Sequence, residues 1–219
     1  LTPAGVAKQE TKQEDRPVKL YDLPPSPNAR RVRIFIAEKG LDIPKVTVDM
    51  AKGENRTPEY LARNSLGKMP VLELDDGTCI AESVAICRYL EELQPEPPLF
   101  GRDRVDRARV EMWNRRMEHE LLLPMIGVFV HTHEFWKDLV EQNAAWGESC
   151  RDNVTAKLAW LDGELDGRDF IANDDYTVAD ITAQCAVLMG KAVGVRVADD
   201  QANLSAWWDR VTARPSARA

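Results

Sequence analysis

Strand-like and helix-like spacings of apolar residues alternate through the first half of the chain, and helix-like spacing alone follows in the second. Residues 18–21 alternate and read as a short strand. Ser26-Pro27 then opens the run NARRVRIFIAEKGL, in which Val32, Phe35 and Ile36 share one helical face. Ser26 suits the N-cap, Pro27 the first helical position and Gly40 the end. Residues 45–48 read as a second strand, and Thr57-Pro58 opens a short helix to about Arg63. Residues 69–80 read as a hairpin, because Asp76-Gly77 stands between two apolar runs. Met69-Pro70 precedes the first strand of that hairpin, a junction where a proline costs no ladder hydrogen bond. A helix follows from Glu82 to about Leu93, so the predicted order is β-α-β-α-β-β-α.

The run QPEPPLFG at 94–101, rich in proline and closed by glycine, breaks this pattern and marks a boundary. Everything after it reads helical. One helix is expected from about Asp103 into the early 130s, bent at Pro124. A second is expected from about Lys137 to Leu165, a third from Thr177 and a fourth over about 203–213. Thr177-Val-Ala-Asp180 has the spacing of a capping box. The expected class is α+β: a polar, flexible tail at 1–16, a mixed domain at 17–94, a linker at 95–102 and an all-α domain at 103–219. The first residues lack the apolar core of a secretory signal. The leading Leu leaves open trimming, an unusual start or an artificially chosen boundary.

Composition narrows the partners. A net charge of −7 and a pI near 5.1 argue against nucleic acid and anionic membrane. No apolar run approaches the length of a membrane span. Among the four cysteines, Cys79, Cys87, Cys150 and Cys185, none forms a C-x-x-C pair. Cys79, Cys87 and Cys185 lie in apolar segments and read as small buried hydrophobes, whereas Cys150 lies in a more polar stretch and reads as exposed. Free cysteines point to a reducing cytosol.

The chemistry concentrates at residues 65–92, SLGKMPVLELDDGTCIAESVAICRYLEE. A strand edge behind Met69-Pro70 can pair with a peptide backbone. The helix start at Glu82-Ser83 offers free N–H groups and a dipole to a carboxylate. A small acidic peptide fits both, and glutathione is one.

This stretch resembles the N-terminal domain of the cytosolic glutathione transferases, and the resemblance runs from about residue 18 to the C-terminus. It implies a thioredoxin-like domain followed by an all-α domain, and a cytoplasmic homodimer serving detoxification. It implies that Met69, before a cis Pro70, pairs with the backbone of glutathione's cysteine, and that Glu82 and Ser83 hold the γ-glutamyl end. Lys68 can pair with the glycine carboxylate; its other reading is a solvated surface charge. The implied activity is attack of the glutathione thiolate on a small hydrophobic electrophile. Two alternatives stay open: glutathione-dependent disulfide or peroxide reduction, and a non-catalytic transferase-like binding protein. Glutathione acts as co-substrate, and no metal is expected.

In a thioredoxin-like fold the first helix aims its N-terminus at the reacting sulfur, which favours a thiolate. Ser26-Pro27-Asn28 stands there with no cysteine, so the sulfur has to come from the ligand. The triplet resembles the Ser/Thr-Pro-Asn variant of some bacterial and fungal transferases and departs from the Tyr-type and Cys-type classes, although Tyr21 lies near the strand end. Ser26 and Asn28 are the candidate thiol donors, with Ser26 equally well placed as a plain N-cap. His131 is the candidate among the three histidines for holding a water near the sulfur, set against a surface role. His131 and His133 differ by two and share no helical face, which argues against a metal pair. Trp113, Met117 and Phe129 are candidates for the co-substrate pocket, or else core residues. The Thr177–Asp180 box is read as structural.

Overall fold

The computed structural model describes residues 18–219, so the tail expected at 1–16 lies outside the described residues. The first half holds β1 (Lys19–Asp22), α1 (Pro27–Glu38), β2 (Lys45–Thr47), a one-turn helix (Glu54–Arg56), α2 (Pro58–Arg63), β3 (Val71–Glu73), β4 (Cys79–Ala81) and α3 (Ser83–Leu93). The strands form one sheet in the order β2-β1-β3-β4, with β1 parallel to β2 and the other two pairings antiparallel. This is a thioredoxin-like arrangement. Period-two alternation divides the side chains between its faces. Leu20 and Leu72 join the main core under α1 and α3, while Tyr21 and Val71 join a smaller cluster with Tyr60 and Met69 on the opposite face.

The second half is helical: α4 (Arg104–Arg116), a π-helical segment (Met117–Leu122), α5 (Leu123–Thr132), a one-turn helix (Glu134–Trp136), α6 (Ala144–Glu164), α7 (Val178–Gly190), α8 (Ala202–Thr212) and a final turn (Pro215–Arg218). Two expectations are corrected. The helix expected to bend at Pro124 changes its winding one turn earlier: the Leu123 amide reaches back to the Glu118 carbonyl, five residues away. Pro124 has no amide to offer, so the wider turn sits directly in front of it. The helix expected from Lys137 begins at Ala144. Asn143 caps it by accepting the Trp146 amide at 3.0 Å. Gln142 donates to the carbonyls of Val130 and His133 at 2.8 and 3.0 Å, which ties the connecting loop back onto α5.

α7 is the buried axis of the second half, and its start carries the predicted box. Asp180, fully buried, accepts from the Thr177 amide at 2.9 Å, the Thr177 hydroxyl at 3.1 Å, the Ile171 amide at 2.9 Å and the Trp207 indole at 2.9 Å. α7 packs on α1, so one continuous core spans both halves. The final turn closes the same joint. Arg214 forks onto Glu38 at 2.8 and 2.6 Å, Ser216 donates to the same carboxylate, and Arg30 donates to the Ala217 carbonyl at 2.7 Å. Lys39, buried at the end of α1, donates to the carbonyls of Pro95 and Pro97 and pairs with Glu91, pinning the connection between the halves.

Candidate functional site

Strand register brings three chain segments to one end of the sheet. Val71 pairs with Tyr21 on one side and with Ala81 on the other. The start of β3, the end of β1 and the end of β4 therefore lie side by side. Off this end run the loop from Asp22 to Ser26 with the start of α1, the Met69-Pro70 junction, and the start of α3.

The β1–α1 loop is braced from beneath. Arg33, buried in α1, pairs with Asp22 at 2.5 Å and donates to the Pro24 carbonyl at 2.9 Å. The Ser26 amide closes a turn onto the Leu23 carbonyl at 2.8 Å. The Ser26 hydroxyl accepts the Ala29 amide at 3.3 Å as the N-cap of α1, which leaves its proton free to donate. Asn28 is half-buried, and its side-chain amide has no hydrogen-bond partner among the described residues. Tyr21 is committed elsewhere: its hydroxyl donates to Glu73 at 2.9 Å on the opposite face of the sheet.

The Met69–Pro70 peptide is cis. Ahead of it the carbonyls are taken: Asn55 donates to Gly67 at 2.8 Å, and Tyr60 and Asn64 donate to Lys68 at 3.0 and 2.8 Å. Met69 is different, since among the described residues neither its amide nor its carbonyl has a partner. A buried segment seldom leaves main-chain donors and acceptors idle, so this edge is open to a peptide backbone. The Lys68 side chain is exposed beside it.

Glu82 is the only non-glycine at positive φ among the described residues, at φ 67 and ψ 117. Such a conformation costs about 1–3 kcal/mol and concentrates where a ligand is held. Its side chain is exposed and gives α3 no cap. The first amides of α3 are therefore unspent. Ser83 is buried, and its hydroxyl accepts from Arg31 at 2.7 Å. The hydroxyl accepts this bond and keeps its own proton free to donate. Arg31 itself is fully buried in α1, 3.6 Å from Glu118, with Nε and Nη2 unpartnered among the described residues. Positive charge thus lies directly under an uncapped helix start.

Sequence reasoning missed Arg31, Tyr60 and Asn64. A signal existed for the first: Arg31 stands four residues before Phe35 on the apolar stripe of α1, a position that buries its side chain.

Four other candidates, His131, Trp113, Met117 and Phe129, lie apart from this end. The His131 ring accepts the Asn143 amide at 3.2 Å at the α5–α6 junction, and nothing described joins it to Ser26 or Asn28. Trp113 is buried and stacked on Trp160, flanked by Arg116 and Arg168, and Met117 is fully buried. Both are core residues. Phe129 belongs to a separate aromatic group with His133, Phe135 and Trp136, so the three expected pocket residues do not converge. Cys150 is buried against Gly127, a correction to its expected exposure, whereas Cys79 is half-exposed. Burial pushes the Cys87 thiol up to about 12 and the Cys185 thiol to about 11, which leaves both unreactive. Among the described residues no group of three or more His, Cys, Asp or Glu is placed to hold a metal ion. No described helix is long and apolar enough to cross a membrane.

The chain is similar to known proteins along most of its length. The family model for the glutathione S-transferase N-terminal domain matches residues 16–92, and that for the C-terminal domain matches 119–215. Glutathione S-transferase 2 of Saccharomyces cerevisiae is 37% identical over 203 residues, covering 91% of this chain and 87% of its own length. The crystal structure of Gtt2 from the same yeast superposes with a TM-score of 0.86 at 36% identity, over 91% of this chain and 98% of that one. A glutathione S-transferase domain-containing protein of Marinobacter aquaeolei VT8 superposes at 0.87 with 39% identity, over 90% and 98%.

Proposed function

This chain belongs to the glutathione S-transferase family, and from that premise we propose that it binds glutathione across the open end of its sheet and directs the glutathione thiolate at a small hydrophobic electrophile. The carrying observation is Met69: an unpartnered amide and carbonyl beside cis-Pro70, flanked by two helix starts. Glutathione's cysteine backbone pairs with Met69 as an added strand would. Its γ-glutamyl carboxylate takes the Ser83 hydroxyl and the unspent amides of α3, with Arg31 supplying charge from below. The exposed Glu82 carboxylate meets the α-amino group, and Lys68 meets the glycine carboxylate.

The sulfur then lies at the start of α1. A free thiol titrates near 8.5, so about two units of depression make it mostly thiolate at neutral pH. The α1 dipole, the Ser26 hydroxyl and the Asn28 amide supply that depression by donating to the charged form. Tyr21 takes no part, since its hydroxyl is held by Glu73. Attack forms the new sulfur–carbon bond and expels the leaving group of the electrophile, with the nucleophile belonging to the co-substrate.

The reading extends to a cytoplasmic homodimer. Val105 and Met112, seven residues apart on α4, are 68% and 42% exposed, an apolar face suited to a second copy.

Ser26→Ala and Asn28→Ala, alone and combined, test the activation. The double variant is expected to lose about 100-fold in kcat/KM, the scale of donor loss around a developing charge. The thiol of bound glutathione, followed by its ultraviolet absorbance, then titrates near its free value. Unchanged turnover in the double variant removes both residues from the mechanism. Parallel assays with a chloronitroaromatic and a mixed disulfide separate conjugation from reduction.

A further inference from the structure

We infer that Tyr60 and Glu73 are positioning residues for glutathione, aiming the Met69 amide from the α2 face of the sheet; the inference rests on the function proposed above. The argument begins with one peptide plane. The Lys68 carbonyl and the Met69 amide belong to the same trans peptide unit, so they point in opposite directions. Tyr60 and Asn64 both donate to that carbonyl, at 3.0 and 2.8 Å. Holding the oxygen on the α2 side turns the Met69 N–H away from α2, toward the open edge.

Tyr60 can hold that oxygen only if α2 is itself held. α2 is six residues long, too short to be stable alone. Its last turn is fastened to the sheet through Arg63, which donates to Glu73 at 2.9 Å and lies over the Tyr21 ring at 4.8 Å. The Tyr60 ring meets the same Tyr21 ring edge-on at 5.9 Å. Glu73 is the common acceptor, taking Tyr21 at 2.9 Å, Arg63 at 2.9 Å and Lys19 at 3.2 Å. Burial pushes its carboxyl up, but these three donors outweigh burial and hold it below the usual carboxylate range. A buried charge with three donors on β3 thus fixes α2, α2 fixes the Lys68 oxygen, and that oxygen fixes the direction of the ligand-facing amide.

The test measures glutathione binding by calorimetry and steady-state kinetics with a chloronitroaromatic, on wild type, Tyr60→Phe, Glu73→Gln and Val154→Ala. Val154→Ala, in the core of the helical half, is the control for destabilisation alone. Tyr60→Phe, which loses one neutral donor, is expected to weaken glutathione about three- to tenfold. Glu73→Gln weakens it at least as much. In both, KM for glutathione rises while kcat stays within about twofold, the mark of lost uniform binding. Val154→Ala lowers Tm and leaves Kd unchanged. An unchanged Kd in Tyr60→Phe, or an equal Kd shift in Val154→Ala, overturns the inference. Wild-type protein that binds no glutathione overturns the proposed function and this inference with it. Should Glu73→Gln not fold, Tyr60→Phe alone decides, because it removes a single hydroxyl.

Discussion

The starts of α3 and α7 are built on opposite plans. At α7, Asp180 takes the Thr177 amide and hydroxyl, the Ile171 amide and the Trp207 indole, and the Val178 amide donates to the Leu99 carbonyl. At α3 the cap residue is Glu82, held at positive φ, with no side-chain hydrogen bond to the helix. One helix start spends its donors within the protein, whereas the other leaves its first amides uncapped. The first contributes to stability. The second gives up stability at a point where an anion from solution can recover it. The start of α1 is intermediate: Ser26 caps it at the long distance of 3.3 Å and keeps a proton to donate.

Breaking the closed start should have the largest effect. Asp180→Ala strands buried amides of Thr177 and Ile171 and the Trp207 indole, and is expected to cost about 4 kcal/mol, given about 1–3 kcal/mol per buried unsatisfied group. Urea denaturation measures it, with glutathione affinity of the folded fraction unchanged. Breaking the open start should do the reverse. Ser83→Ala is expected to weaken glutathione by about 2 kcal/mol, the worth of a hydrogen bond to a charged group, and, because it also takes an acceptor from the buried Arg31, to cost about 1–2 kcal/mol of stability, less than Asp180→Ala. A loss of Tm comparable to that of Asp180→Ala would erase the distinction between the two starts.

Glu82→Gly sharpens the contrast further. Glycine adopts φ 67 without strain, so the variant is expected to gain about 1 kcal/mol of stability while losing affinity for glutathione. Calorimetric unfolding and binding together read both signs. The smallest effect is in pH. Burial pushes Glu38 up, but hydrogen bonds from Arg214 and Ser216 bring it below the usual carboxylate range. A depressed carboxyl contributes stability above its unfolded pKa and loses it as the pH falls through the folded one. The stability gap between wild type and Glu38→Gln should therefore be present at pH 7 and close in acid. Asp180, raised by burial, contributes in the opposite sense.

Features set by neighbours in the chain were readable in advance. Ser26-Pro27 as cap and first turn, Thr57 as cap, the Asp76-Gly77 turn and the Thr177–Asp180 box all depend on residues a few positions apart. Features set across the fold were not. Tyr21 and Glu73 are 52 residues apart, as are Arg31 and Ser83, and nothing local pairs them. The apolar periodicity that placed Trp113 and Met117 on a helix is the same whether that face meets a pocket or a core. The open end of the sheet was legible as a set of residues; the buried braces behind it, Arg31, Arg33 and Tyr60, were not.

The last turn of the chain has a consequence for how the protein is made. Glu38 and Arg30, on the first helix, are held by Arg214, Ser216 and Ala217, separated from them by 176 to 187 residues. A ribosome presents α1 well before these partners. The first half can form its sheet during synthesis, but the far face of α1 stays open until residues 214–217 have emerged. Contacts this distant in the chain close late and slowly. The helix proposed to activate the thiol is therefore made well before it is fully held.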